Sequence, residues 1–340
     1  MAHYLVTGAA GFIGSHLVDL LLLAGHTVMG LDKFTYAGRP ENLESARKKE
    51  RFVLAVNDVC DGGALDAIFS TWSFDGVFHL AAETHVDRSI ADASDFARTN
   101  VLGTLSVLEA SRKYWEGLAG KAQDRHDRFK LVVVSTDEVW GSLELGSAAK
   151  FDEDSPVRPR SPYAATKAAA DMLALSYFHT HGLPVIVTRC GNNYGSRQFP
   201  EKLIPLAIER GIRREIIPLY GDGENIRDWI FVRDHCRALV AVMGAGRPGQ
   251  TYAIGARCEK SNRQVLEAIC GALDEVCPWW IPHGDLIEHV EDRKGHDRRY
   301  GIDPSRAERE LDWSAQMKFE DGLFDTVQWH RSRHRSGTGT

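Results

Sequence analysis

The feature that most restricts the fold of this chain stands at its start, where a short β-rich run, HYLVTG, leads straight into GAAGFIGSHLVDLLLLAG. Gly8, Gly11 and Gly14 form a G-x-x-G-x-x-G turn between that strand and an amphipathic helix. Such a turn lets the backbone approach a pyrophosphate, and the helix start offers N–H donors and the positive end of its dipole. Plain tight packing also selects glycine, so the strands downstream of the turn are needed to decide. The next strand, HTVMGLD, ends at Asp32, 18 residues beyond Gly14. A carboxylate at that edge suits a ribose diol and repels a 2′-phosphate, which points to NAD rather than NADP. A third strand, RFVLAVND, ends at Asp58, placed to reach an adenine ring. A fourth, DGVFHLAA, carries Ala81 and Ala82, small enough for the chain to pass close to a cofactor. Thr99, in an expected helix over 95–114, is a candidate to face the cofactor ribose.

Units of strand and helix recurring at about 25–35 residues imply an α/β fold with a Rossmann-type doubly wound parallel sheet. With 340 residues there is room for a smaller C-terminal α/β substrate-binding domain. Polar residues concentrate after the buried strand LPVIVTRC, which places the boundary near Cys190. Residues 1–190 are then the cofactor domain with the catalytic groups, and 191–330 mainly the substrate domain, with the chain free to cross between them. The segment 116–128 reads as an exposed loop, and the polar end 331–340 (RSRHRSGTGT) as a disordered tail. A net charge of −6 argues against a nucleic-acid partner. No apolar run reaches the roughly 18–20 residues that span a bilayer, and no basic stretch precedes an apolar one at the N-terminus. Six scattered cysteines without C-x-x-C spacing suggest a reducing compartment, hence the cytoplasm, and no metal site.

The chemistry concentrates in 135–167. The run LVVVSTDEV reads as a buried parallel strand that delivers Asp137 and Glu138 at its carboxyl end, where open α/β sheets bind ligands. SPYAATK then opens an Ala-rich helix on which Tyr163 and Lys167, four residues apart, share a face. An ammonium beside a phenol favours the phenolate, so Tyr163 is expected to act as a base below its ordinary pKa of about 10. A base, an acid pair and a lysine suggest proton transfer on a polyhydroxy substrate. His85 and Arg88 in ETHVDRS face either ligand or solvent. The polar segment VEDRKGHDRRYGID, with Arg293, His296, Arg298, Arg299 and Tyr300, suits a nucleoside diphosphate or equally a charged surface loop.

Taken together, TGAAGFIGSH, LDKFTYAG, HLAAETHVDRSI, STDEVWG, SPYAATKAAAD, RCGNNYGSRQFPEKLIPL, YGDGENIRDWIFVRDH and EDRKGHDRRYGID resemble the dTDP-glucose 4,6-dehydratases. These are extended short-chain dehydrogenase/reductases that act on nucleotide sugars. The likeness runs from about residue 3 to 303. Trp140 stands where the family usually has Tyr, Thr84 where it has Ser, and Ser196 where it has Pro. The resemblance implies a homodimer with dTDP-glucose as substrate and NAD as cofactor. It implies that Tyr163 and Lys167 take the 4-hydroxyl proton, Thr136 orients that hydroxyl, Glu138 is the base at C5 and Asp137 the acid at O6. The residues alone do not separate those last two roles. It extends the cofactor site to Phe12, Ile13, Lys33, Thr35, Val59, Leu80 and Asn193. It places Thr84, His85, Asn192, Glu201, Lys202, Leu203, Pro218, Tyr220, Arg227, Asn262, Arg293, His296 and Tyr300 around the substrate. The dimer would pair the helices expected over 95–114 and 161–180, with Ala164, Ala168 and Ala169 permitting close approach. A nucleotide-sugar 4-epimerase or decarboxylase would share Tyr163, Lys167 and NAD, but a 4-epimerase would not need the acid pair. A non-catalytic NAD-binding regulator would need neither.

Overall fold

The computed structural model describes residues 1–292 and 295–335. Runs rich in Val, Ile and Leu, too apolar to leave either face in water, form the central sheet. Its strands are β1 (His3–Thr7), β2 (Thr27–Leu31), β3 (Phe52–Ala55), β4 (Gly76–His79), β5 (Lys130–Thr136) and β6 (Val185–Cys190). Three short strands come next, β7 (Asn192–Tyr194), β8 (Ile217–Tyr220) and β9 (Ile226–Phe231), and then β10 (Thr251–Ile254), β11 (Glu259–Ser261) and β12 (Ile287–Val290). The seven-stranded sheet has the order β10-β6-β5-β4-β1-β2-β3, with every pairing parallel. The order reverses beside β1, the switch point at which such sheets bind ligands. Leu131, Val132 and Val133 of β5 and Val185, Ile186 and Val187 of β6 are fully buried, so helices cover both faces.

The second region is built from β11-β9-β7 and from the parallel pair β12-β8. Its core includes Ile208 and Ile217, Leu266 and Ile269, and Leu323 and Val327, contributed by three helices, Leu203–Arg213, Asn262–Val276 and Phe319–Arg335, together with β8. Between these pieces β10 returns to the edge of the main sheet, so the chain crosses the boundary near Cys190 more than once.

The helix that carries Tyr163 and Lys167, Pro162–His181, begins where Ser161 accepts a hydrogen bond from the Ala164 N–H, and it ends on left-handed Gly182. The expected helix over 95–114 is interrupted. A short turn Ser94–Phe96 passes into a π-helical stretch, Ala97–Gly103, before the α-helix Thr104–Leu118. The 116–128 segment is not a loop. It ends that helix and adds another, Gln123–Arg128, because Trp115 stacks on His126 and donates its Nε1–H to the His126 carbonyl. The tail is likewise ordered as helix to Arg335, with Arg333 lying over the Trp329 ring, and 336–340 lie outside the described residues. Ala164 and Ala168 are buried within the chain rather than offered to a partner.

The glycine turn shows why its residues are glycine. Gly8 sits at φ +68°, and a Cβ there would lie 2.8 Å from the Ala81 nitrogen; on Gly14 it would lie 2.1 Å from the Gly8 carbonyl oxygen. Gly14→Ala is therefore expected to destabilise by about 1–3 kcal/mol, as overpacking against backbone does. Gly271→Ala, which meets nothing within 4 Å on a helix, should instead stabilise by about 0.5–1 kcal/mol. Thermal denaturation of the pair checks the opposite signs.

Candidate active site

Because β1, β2, β4, β5 and β6 run the same way, their carboxyl ends open on one edge, and two connected clefts lie there. The larger has a volume of about 300 Å³. Gly8, Gly11, Phe12, Ile13 and Gly14 form one wall, and Asp32, Lys33 and Thr35 continue it from the end of β2. Val59, Leu80, Ala81, Ala82, Thr84 and Thr99 complete the lining on that side. The Thr7 hydroxyl holds the floor by bonding His79 Nδ1 at 2.7 Å and accepting from the Leu80 and Ala81 N–H groups. Asp32 is aimed by two backbone donors, Ala10 and Phe34, each at 2.8 Å. A Cβ on Gly38 would come within 2.7 Å of its Oδ1. A glycine-lined wall with a fixed carboxylate at the β2 edge fits a dinucleotide with a free ribose diol. Asp58 does not line this cleft. It is turned to Lys33 Nζ at 3.2 Å and the Cys60 N–H at 2.9 Å, while its neighbours Asn57 and Val59 take the wall position.

The second cleft, of about 200 Å³, is lined by His85, Asn192, Leu203, Pro218, Tyr220 and Asn262, with Arg227, His296 and Tyr300 also in its wall. Glu138, Asn192, Asn193, Glu201 and Lys202 belong to both clefts, so the two meet at the end of β5. Arg227 lies 4.3 Å above the Tyr300 ring and donates to the Asp297 carbonyl, and the Tyr300 hydroxyl donates to the Asp297 carboxylate at 2.5 Å. Glu201 gathers Tyr36 at 3.2 Å, His85 at 3.6 Å and Arg88 at 3.9 Å, and Arg88 stacks over Tyr36. Lys202 donates to the Thr84 carbonyl at 2.8 Å. Ser196, in the place of the family's proline, pairs with His16 on the first helix and so ties this loop to the glycine turn. Arg298 and Arg299 are engaged elsewhere, on Asp222 and on Glu259 with two carbonyls. Arg293 lies outside the described residues.

At the junction stand Thr136, Asp137, Glu138, Tyr163 and Lys167. Asp137 is 2% exposed, and burial, then the neighbouring Glu138, push its carboxyl well above the ordinary range, which favours the protonated form. One of its oxygens bonds the Thr136 hydroxyl at 3.2 Å, and Oδ2 has no partner among the described residues. The Tyr163 phenol is not lowered as its spacing from Lys167 suggests. Burial and the Glu138 carboxylate raise it, while the Thr136 hydroxyl works the other way. Lys167 donates to the Val134 carbonyl at 2.8 Å, and burial pushes its pKa down. Desolvation outweighs the ammonium in the protein alone. Trp140 packs beneath the acid pair, stacked on Phe151 at 5.5 Å.

Sequence reasoning passed over Asn57, Glu83 and Gln198, all on the larger cleft. Gln198 donates to the Asn193 carbonyl at 3.0 Å, and Asn193 is set by His235 at 2.9 Å, contacts that no spacing announces. Among the described residues no His, Cys, Asp and Glu cluster could hold a metal ion, and no helix is long and apolar enough to cross a membrane. All six cysteines are free thiols.

A family model described as GDP-mannose 4,6 dehydratase matches residues 5–326. A probable dTDP-glucose 4,6-dehydratase of Sinorhizobium fredii is 48% identical over 326 residues, 96% of this chain and 92% of that protein. The crystal structure of DesIV, a dTDP-glucose 4,6-dehydratase from Streptomyces venezuelae with NAD bound, is 41% identical and superposes with a TM-score of 0.88 over 98% of both chains. That of a dTDP-glucose 4,6-dehydratase from Bacillus anthracis in complex with NAD is 40% identical with a TM-score of 0.86, again over 98% of both chains.

Burial lifts the folded pKa of Asp137 above the value of about 4 that an unfolded carboxyl shows. The folded pKa is the higher one, so this group's stabilisation is fully present below the unfolded pKa and fades as pH rises towards the folded pKa. Asp137→Asn is therefore expected to melt no lower than the parent at pH 8 and to lose less stability between pH 5 and pH 8. Calorimetry at both pH values checks this; an equal deficit at both speaks against a protonated Asp137.

Proposed function

The chain belongs to the GDP-mannose 4,6-dehydratase family, among its dTDP-glucose 4,6-dehydratases, and from that premise we propose that it converts dTDP-glucose to dTDP-4-keto-6-deoxyglucose and water with NAD as cofactor. It is an NAD-dependent hydro-lyase. Bound NAD supplies the hydride acceptor and donor, and its recovery in each turnover makes the net reaction a redox-neutral loss of water.

The chain's own residues move the protons. Tyr163 takes the proton of the sugar 4-hydroxyl, with Thr136 orienting that hydroxyl and the Lys167 ammonium favouring the phenolate. The positive charge on the oxidised cofactor adds to that ammonium and opposes the burial that raises the phenol. Once C4 is a ketone, the C5 proton is acidic and Glu138 removes it. Asp137 gives its proton to the 6-hydroxyl, which leaves as water. The unlike environments of the two carboxyls divide these tasks. The cleft holding Arg227, Asn262 and Tyr300 suits the nucleoside diphosphate, since a guanidinium matches phosphate geometry.

One observation carries the dehydratase reading over a 4-epimerase: a buried Asp137 whose carboxyl is pushed up by burial and by Glu138, with one oxygen unpartnered among the described residues, beside Glu138 where the clefts meet. An epimerase has no leaving hydroxyl to protonate. The enzyme is read as cytoplasmic, supported by six free thiols. It is read as a homodimer through the helices Thr104–Leu118 and Pro162–His181 with the π-turn before the first. Leu102 and Met172, 54% and 58% exposed, support that face.

Mass spectrometry of the product is expected to show loss of one water; unchanged mass would mean epimerisation instead. Turnover of dTDP-glucose should exceed that of UDP-glucose when each is supplied alone. Glu138→Gln should retain NAD yet form product about 10²–10⁴-fold more slowly. Tyr163→Phe should show no reduced nicotinamide in a single turnover, and normal reduction would remove Tyr163 from the role of base.

A further inference from the structure

The catalytic helix turns a third ionisable residue inward. Asp171 stands one turn beyond Lys167, so Tyr163, Lys167 and Asp171 share one buried face. Asp171 is 1% exposed, and its Oδ2 accepts from Arg189 Nε, on β6, at 3.0 Å. The Arg189 guanidinium is itself seated over the Trp140 ring, 5.3 Å from its centre. Neither Asp171 nor Arg189 lines either cleft, so no step of the proposed reaction uses them directly.

A buried ammonium persists only beside an opposite charge. The groups facing Lys167 from the surrounding elements supply little. His79 on β4 is pushed down to about 3 by burial and is neutral. The Cys190 thiol on β6 is pushed up to about 12 and is neutral too. Burial pushes Asp137 after β5 and Tyr163 on the same helix up, which favours the neutral form of each. The Val134 carbonyl offers a dipole rather than a charge. The Glu138 carboxylate raises the Asp137 carboxyl and the Tyr163 and Tyr300 phenols, and it is not among the influences on Lys167. Burial lowers Lys167, and Asp171 is the leading influence that raises it again. Burial also works against the Asp171 charge, and there Arg189 is the leading influence that favours the ionised form.

We propose that Asp171, held by Arg189, is a positioning residue for the proton transfer at Tyr163: it is the counter-charge that keeps Lys167 an ammonium under the phenol. The line of influence runs from Arg189 to Asp171 along the floor of the site, then one helical turn to Lys167 and one more to Tyr163. Trp140 fixes the far end by stacking under Arg189. This inference rests on the reading of Tyr163 and Lys167 as the proton-transfer pair.

The pH profile of kcat tests it. In Asp171→Asn, Lys167 loses its proton nearer neutrality, so the alkaline limb is expected to move down by about one pH unit. Activity at the alkaline end then falls about tenfold more than at the acidic end. KM for the nucleotide sugar and the bound NAD content should stay near the parent values, and Asp171→Glu should restore the profile. A variant profile parallel to the parent, merely lower at every pH, overturns the proposal. Where Asp171→Asn does not fold, Asp171→Ser removes the same charge; the same downward shift is expected, and a parent-like profile overturns the proposal as well. Failure of the underlying reading is distinguishable, because Tyr163→Phe would then reduce NAD normally, whereas failure of this inference alone leaves Tyr163→Phe inactive.

Discussion

Keeping charge in a cleft that largely excludes water is the constraint around which the site is arranged. Tyr163, Lys167 and Asp137 each lie under a tenth exposed, and for each the largest influence on ionisation is burial. Under that condition a side chain's state is set by its neighbours rather than by its own nature. Burial first, and then the adjacent Glu138, favour the neutral form of Asp137. Two adjacent carboxyls become a proton donor and a proton acceptor only in a site that penalises the second charge.

The sheet makes that arrangement reproducible. Register between β5 and β6 sets Ser135 opposite Arg189 and Thr136 opposite Cys190. The acid pair thus emerges beside the start of the substrate loop. Between β6 and β7 only Gly191 intervenes, and a Cβ there would lie 2.6 Å from the Asp228 carbonyl oxygen. The chain therefore leaves the main sheet at the catalytic junction itself, which is why Asn192 and Asn193 line both clefts. With β10 returning to the main sheet, the second region is anchored on both sides of the site.

Local features were legible in the residues, and features made by distant partners were not. The glycine turn, Asp32, the acid pair at a strand end and the Tyr163–Lys167 spacing are each written within a few positions, and the structure puts all of them on one cleft. Asp58 shows the limit. Its place at a strand end was readable, but its rotamer is set by Lys33 and the Cys60 N–H. Arg298 and Arg299 looked like phosphate ligands by charge alone, and Asp222 and Glu259, far off in the chain, claim them. The helix Gln123–Arg128 looked like a loop because its polar composition conceals the stacking of Trp115 on His126.

By itself the sequence determined the class of fold, the sheet edge at which the clefts open and the polar side chains that line them, because hydrophobic period, glycine spacing and helical pitch are local properties. Only the tertiary structure decided which of those side chains carries a proton. The phenol of Tyr163 and the carboxyl of Asp137 are both pushed up, and Lys167 leans on Asp171. Each of these states arises from desolvation and from charges brought close by folding, at distances that no local pattern encodes.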